Sequence, residues 1–169
     1  MTPLTTERLT LRRLTLTDAA FMLELLNSPG WLEFIGDRGV RTVEDAERYL
    51  EGGALVMYAR YGFGLYRVSL KENDEAIGIC GLVKRDTLED VDIGFALLPQ
   101  FQGHGYALEA ARATMTHAKD DIKLQRVLGI TTPHNHPSIR VLETIGLSFE
   151  KMVRLSADDV ELKLFALDF

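Results

Sequence analysis

The chain of 169 residues is 46% hydrophobic and 26% charged, enough apolar material for one covered core, so a single domain over residues 1–169 is expected. A formal charge of −6 and an isoelectric point near 5.2 exclude bulk electrostatic attraction to nucleic acid or to an anionic membrane surface. Cys80 is the only cysteine, which rules out an intrachain disulfide and any multi-cysteine metal site. No apolar run approaches the roughly 18 residues of a membrane span, and the opening residues lack the apolar core of a secretory signal. A cytoplasmic protein with no nucleic-acid or membrane partner is the expectation.

Leu9, Leu11 and Leu14 alternate with polar residues as a first strand does, and Thr17-Asp18 reads as the cap of a helix over about 18–27. Ser28-Pro29-Gly30 signals a break, and Trp31 to Arg41 mixes aromatics, glycines and charges as a loop does. Thr42 with Asp45 three residues on starts a second helix, to about Glu51; Gly52-Gly53 stops it, and Ala54 to Arg60 is a short helical piece. From Gly62 the period becomes strand-like: Phe63 to Val68 and Ile77 to Val83 flank the polar turn 71–75, a hairpin. A third strand, about 90–98, sets Val91, Ile93, Phe95 and Leu97 on one face.

That strand runs into Gln100-Phe101-Gln102-Gly103-His104-Gly105-Tyr106-Ala107, and a helical pattern to about Asp121 begins at once. Alternate glycines on a strand-to-helix turn let backbone N–H groups converge on an anion, with the helix dipole behind them. A phosphate cradle is the leading reading, and a plain tight turn the other. The turn lacks the Gly-Lys-Ser/Thr of a nucleotide-hydrolysing P-loop, and Leu108 stands where a dinucleotide fingerprint needs a small residue. Downstream come a strand over about 126–132, a helix over about 138–145 stopped by Gly146, and two strands, about 147–155 and 160–167. This order implies an α/β (α+β) fold, a mixed twisted sheet of six to seven strands flanked by about four helices.

Gln100-x-x-Gly103-x-Gly105-Tyr106-Ala107-x-Glu109-Ala110, followed after a strand by Asn135-x-x-Ser138-Ile139-Arg140-Val141-Leu142-Glu143-x-Ile145-Gly146, resembles the GNAT family of acyl-CoA-dependent N-acyltransferases. Thr6-Glu7-Arg8-Leu9-x-Leu11-Arg12, Ile77-Gly78-x-Cys80-Gly81-Leu82 and Asp92-Ile93-Gly94-Phe95-x-Leu97 extend the resemblance over nearly the whole chain, toward the branch of Rim-type ribosomal-protein N-terminal acetyltransferases.

The resemblance implies acetyl-CoA as cosubstrate, a primary amine as acceptor (a protein N-terminus or a small molecule), and direct attack in a ternary complex. It gives Gln102, Gly103, His104, Gly105, Tyr106 and Ala107 to the pyrophosphate, and the backbone of Phe95, Ala96 and Leu97 to the pantetheine arm. Chemistry asks for a base to deprotonate the amine and a donor to the leaving thiolate. Asp92 is the candidate base, with a solvated edge charge as the alternative; Ser138 is the candidate acid, with a helix N-cap as the alternative. Asn135 is a candidate for holding the pantetheine amide or orienting the amine, or is a turn residue; Arg140 reaches the 3′-phosphate or solvates its helix. Position 104 departs from the Lys or Arg common in relatives.

The four histidines show no metal-ligand spacing, so no metal is expected. Cys80 reads as a small strand residue rather than a nucleophile. Trp31, Phe34 and Tyr49 are either acceptor wall or core. The same features fit a non-catalytic acyl-CoA-binding sensor, and the resemblance allows a homodimer through the last strands.

Overall fold

The computed structural model describes residues 1–169. One eight-stranded sheet carries the fold, in the spatial order β1 (Leu4–Thr5), β2 (Leu9–Arg13), β3 (Leu65–Leu70), β4 (Ala76–Val83), β5 (Asp92–Leu97), β6 (Arg126–Thr131), β8 (Leu162–Asp168) and β7 (Ser148–Val153). Every neighbouring pair is antiparallel except β5 and β6. The expected mixed sheet is therefore present. The strand beyond the expected count is the two-residue β1, too short to leave a periodic signal.

Six α-helices accompany the sheet: α1 (Ala19–Leu26), α2 (Pro29–Phe34), α3 (Val43–Gly52), α4 (Ala54–Tyr61), α5 (Tyr106–Thr116) and α6 (His136–Thr144). The Ser28-Pro29-Gly30 break ends α1 but also begins α2, because proline at the first helical position lacks only an N–H that has no intrahelical partner anyway. Thr42 caps α3 as its spacing to Asp45 implies: Thr42 Oγ1 accepts from Asp45 N–H at 3.0 Å, and Asp45 accepts from Thr42 N–H at 3.2 Å. Asp18 is the N-cap residue of α1, as expected, but its side chain makes no cap bond there and serves the turn before it. Thr15 N–H donates to the Asp18 carboxylate at 2.8 Å across a short 3₁₀ turn.

Packing divides the helices between the two faces of the sheet. Leu14, Met22, Leu25, Leu26, Trp31, Ala46 and Leu50 cover Ile79 and Leu98 on one face. On the other, Ala111 and Met115 of α5, Ala118 of the π-helical turn that continues it (His117–Asp121) and Leu142 of α6 cover Leu82, Ile93, Val127 and Phe165. The apolar repeats of α5 and α6 thus bury the faces their sequence spacing predicts. Burying one such leucine stabilises by about 2 kcal/mol, so each cluster outweighs any single surface ion pair. Close approach fixes the centre of the sheet: a Cβ on Gly81 would collide with the Gly64 carbonyl, so β3 and β4 pair there only because position 81 is glycine.

Candidate active site

The site begins where β5 leaves β6. Their register contains one pair, Asp92 with Leu128, held by Leu128 N–H donating to Val91 O at 2.9 Å. Beyond it the two parallel strands separate, while β5 stays bonded to β4 along its whole length. Leu98 N–H donates to Ile77 O at 2.8 Å, and hydrogen-bonded pairs alternate along antiparallel strands, so Ala96, Gly94 and Asp92 turn their backbone groups toward β4. Phe95 turns both of its groups, and Leu97 its N–H, toward the gap, while the Leu97 carbonyl already accepts from the Gln102 side chain. Backbone N–H and C=O groups at such an edge need a partner, and an extended amide chain supplies one as an added strand does.

The geometry separates the three residues expected to hold pantetheine. Phe95 and Leu97 face the opening; Ala96 does not, because β4 already holds its backbone groups and its side chain packs against the α1–α3 core. Gln102 also differs from its expected place in the anion cradle. Its N–H donates to Pro99 O at 3.2 Å, closing a 3₁₀ turn, and its side-chain amide donates to Leu97 O at 3.2 Å. Gln102 braces the turn instead of presenting an N–H from it.

The cradle itself runs from Gly103 to the first turn of α5. Gly103 and Gly105 have φ of +79° and +81°, the left-handed region where a side chain costs about 1–2 kcal/mol. The first backbone bond of the helix is Glu109 N–H to Gly105 O at 3.1 Å, and no side chain caps its start. The N–H groups of Gly103, His104, Gly105, Tyr106, Ala107 and Leu108 are therefore left free. Convergent free N–H groups with a helix dipole behind them suit a pyrophosphate.

Asn135, not Ser138, caps α6. Asn135 Oδ1 accepts from Ser138 N–H at 3.3 Å, and Ser138 lies at the third helical position. The Ser138 hydroxyl is thus released from capping, and the Asn135 side-chain NH₂ remains available to a carbonyl ligand. Arg140 is exposed farther along the same helix.

Asp92 sits at the apex of the gap and is 1% exposed, so it is not the solvated edge charge that its acidic neighbourhood allows. Arg85 Nε donates to its Oδ1 at 2.9 Å. Burial raises the Asp92 pKa and the Arg85 charge opposes that rise, with a net upward shift. Cys80 is fully buried beside Thr114 Oγ1 at 3.3 Å, and burial pushes its thiol up to about 12. No thiolate forms there near neutral pH, so Cys80 is a small strand residue.

Of the three early aromatics, Trp31 is core, and Tyr49 packs against that core. Phe34 is half-buried and meets His134, on the β6–α6 loop, at 5.2 Å between ring centroids. The Trp31 indole nitrogen and the Thr132 hydroxyl are buried without a partner.

Arg8 and Glu109 were not among the candidate site residues, although both stand in the motifs quoted for the resemblance. Glu109, in the first turn of α5, accepts from Arg8 N–H at 2.8 Å, from Arg8 Nε at 2.7 Å and from the Thr6 hydroxyl. Burial alone raises the Glu109 pKa, and these bonds outweigh it, leaving the carboxyl below its usual range. The spacing of about a hundred residues carries no local signal that could have paired them.

A mixed sheet parted at two parallel strands, with an uncapped glycine turn at the open end, is the architecture that the resemblance to the GNAT acyltransferases implies. The sequence profile of the acetyltransferase (GNAT) domain matches residues 8–148, and the chain belongs to that family of acetyltransferases.

Two Bacillus relatives show the same kinship. The uncharacterized N-acetyltransferase YnaD of Bacillus subtilis is 29% identical over 147 residues, covering 87% of this chain and 83% of its own. The uncharacterized N-acetyltransferase p20 of Bacillus licheniformis is 28% identical, covering 91% and 86%. An acetyltransferase from Agrobacterium tumefaciens superposes with a TM-score of 0.84 at 25% identity, over 100% of this chain and 95% of the other. RimL, the ribosomal L7/L12 α-N-protein acetyltransferase in complex with coenzyme A, shares the fold at a TM-score of 0.80 and 18% identity, over 99% and 98%.

Proposed function

We propose that this chain moves an acetyl group from acetyl-CoA to a primary amine, by direct attack of the amine within a ternary complex. The observation that carries this reading is the gap between β5 and β6, open beyond the Asp92–Leu128 pair and ending at the free N–H groups of the α5 turn.

The cosubstrate supplies an activated thioester; the chain's residues bind, orient and move protons. Gly103 to Leu108 hold the pyrophosphate through their N–H groups, and Phe95 and Leu97 hold the amide arm through their backbone edge. The Asn135 amide donates to a carbonyl of that arm. Asp92, whose pKa is raised toward the working range of a base, takes the ammonium proton through an ordered water, because its carboxylate is buried. Ser138 gives a hydrogen bond or a proton to the sulfur as it leaves. Backbone N–H groups of the open edge stabilise the carbonyl oxygen when it becomes an oxyanion. The setting that supplies acetyl-CoA to such an enzyme is the cytoplasm.

Free-thiol release from acetyl-CoA, measured across a panel of peptide N-termini, amino acids and small amines, tests the reading. Acceptor-dependent release from at least one class is expected. Tight acetyl-CoA binding with no release from any acceptor would make the chain an acyl-CoA sensor instead.

A further inference from the structure

Arg8 lies against the turn that leads into α5. Its Nη1 donates to His104 O at 3.0 Å, and the guanidinium carbon lies 4.4 Å from the centroid of the Tyr106 ring. That ring in turn stacks on His104, with centroids 5.7 Å apart. A Cβ added at Gly105 would lie 3.4 Å from Arg8 Nη2, so the guanidinium is against the turn itself.

A trans peptide points its C=O and its N–H in opposite directions. Fixing His104 O toward Arg8 therefore fixes the next N–H, that of Gly105, pointing away from Arg8. The guanidinium has a second task at the same helix end. Glu109 puts a carboxylate within the first turn of α5, where it opposes any anion bound at the N-terminus, and Arg8 neutralises it through the 2.7 Å ion pair. Arg8 can do both because its planar fork presents several donors in fixed directions, which a lysine cannot reproduce.

We propose that Arg8 is the positioning residue of the cosubstrate's pyrophosphate site: it sets the His104–Gly105 peptide plane and cancels the Glu109 charge beside it. Arg8 stands 96 positions before His104 in the chain, so only the folded topology brings it to the turn. The inference rests on the acetyl-CoA reading above, and its test separates the two.

The experiment measures steady-state kinetics of wild type, Arg8→Ala and Arg8→Lys with acetyl-CoA and with S-acetyl-N-acetylcysteamine, a thioester without phosphates, using an amine that wild type accepts. Arg8→Ala should raise the acetyl-CoA KM about tenfold or more, the scale of one charge-assisted hydrogen bond, with kcat little changed. Arg8→Lys should recover only part of the loss, and kcat/KM for the short thioester should stay at the wild-type value in both variants. Thermal unfolding of each variant checks that the domain is intact. An unchanged acetyl-CoA KM in Arg8→Ala, full recovery by lysine, or an equal loss with both thioesters would overturn the proposal. Failure of wild type itself to release thiol would instead remove the acetyl-CoA reading.

Discussion

Asp92 and Leu128 form the only residue pair that joins β5 to β6, and the gap that opens beyond them is the feature on which the site depends. The sheet is continuous from β1 to β5 and from β6 to β7, so the opening is a local parting within an otherwise bonded structure. Both sides are held by core: Ile93 and Val127 pack in the same cluster beneath α5 and α6. That cluster keeps the edge of β5 in place without a strand beside it.

Substitution in the turn separates binding from folding. A Cβ at Gly103 would meet nothing within 4 Å, so Gly103→Val costs about 1–2 kcal/mol of backbone strain and little packing. Isothermal titration should find acetyl-CoA binding lost or weakened at least tenfold, while thermal unfolding drops by only several degrees. Wild-type affinity in this variant would mean that the turn holds no phosphate.

Ser138 and Asn135 divide two roles, and their alanine variants should divide them too. Ser138→Ala keeps the cap, so its stability should match wild type while kcat falls by about a hundredfold. Asn135→Ala removes the cap acceptor and should lose about 1 kcal/mol of stability in denaturant melts as well as activity. A Ser138→Ala enzyme with full kcat would assign the hydroxyl no part in the chemistry.

Much of the fold is legible in sequence because its signals are local. The Thr42–Asp45 cap, the apolar stripes of α5 and α6 and the alternation of Ile93, Phe95 and Leu97 each arise within one element. The turn at Gly103 and Gly105 is legible for the same reason: its requirement is a backbone angle at two positions. Other features depend on distant partners. Nothing around Ala96 says that β4 takes its N–H and C=O, because alternation tells faces apart but not which strand lies on which side. The Arg8 contact with His104 and Glu109 links the first strands to the fifth helix, a pairing that only the folded topology creates. Burial of Asp92 is likewise a tertiary consequence, since β4 and β6 flank it on both sides and Arg85 pairs with its carboxylate.

The proposed role of Asp92 as base predicts a pH dependence of turnover. A base works deprotonated, and burial against the Arg85 charge raises the Asp92 pKa. The rate should therefore increase with pH along an acid limb lying above the usual carboxylate range of about 4. Asp92→Asn should abolish that limb and reduce kcat/KM at least a hundredfold. An unaltered limb in this variant would place the base elsewhere.

Asp18 controls acid stability, independently of the site. It is 7% exposed, pairs with Arg12 at 2.9 Å and accepts from Thr15 N–H. Burial alone raises its pKa, but the Arg12 and Thr15 bonds outweigh burial and leave it lowered. A lowered folded pKa means stability that is fully present above the unfolded value, about 3.9, and lost as pH falls through the folded value. Asp18→Asn should therefore be less stable than wild type by about 2 kcal/mol at neutral pH, the scale of hydrogen bonds to a charged group, with the two denaturation curves converging below about pH 4. A constant difference across that range would contradict the assignment.

Backbone amide NMR of the protein titrated with coenzyme A is the most direct test of the central claim, that the cosubstrate lies in the gap between β5 and β6. The account predicts that Phe95, Leu97 and Gly103 to Leu108 shift and gain protection from exchange, while the Ala96 amide, already bonded to β4, gains none. Saturating coenzyme A with no change at Phe95 and Leu97 would contradict it.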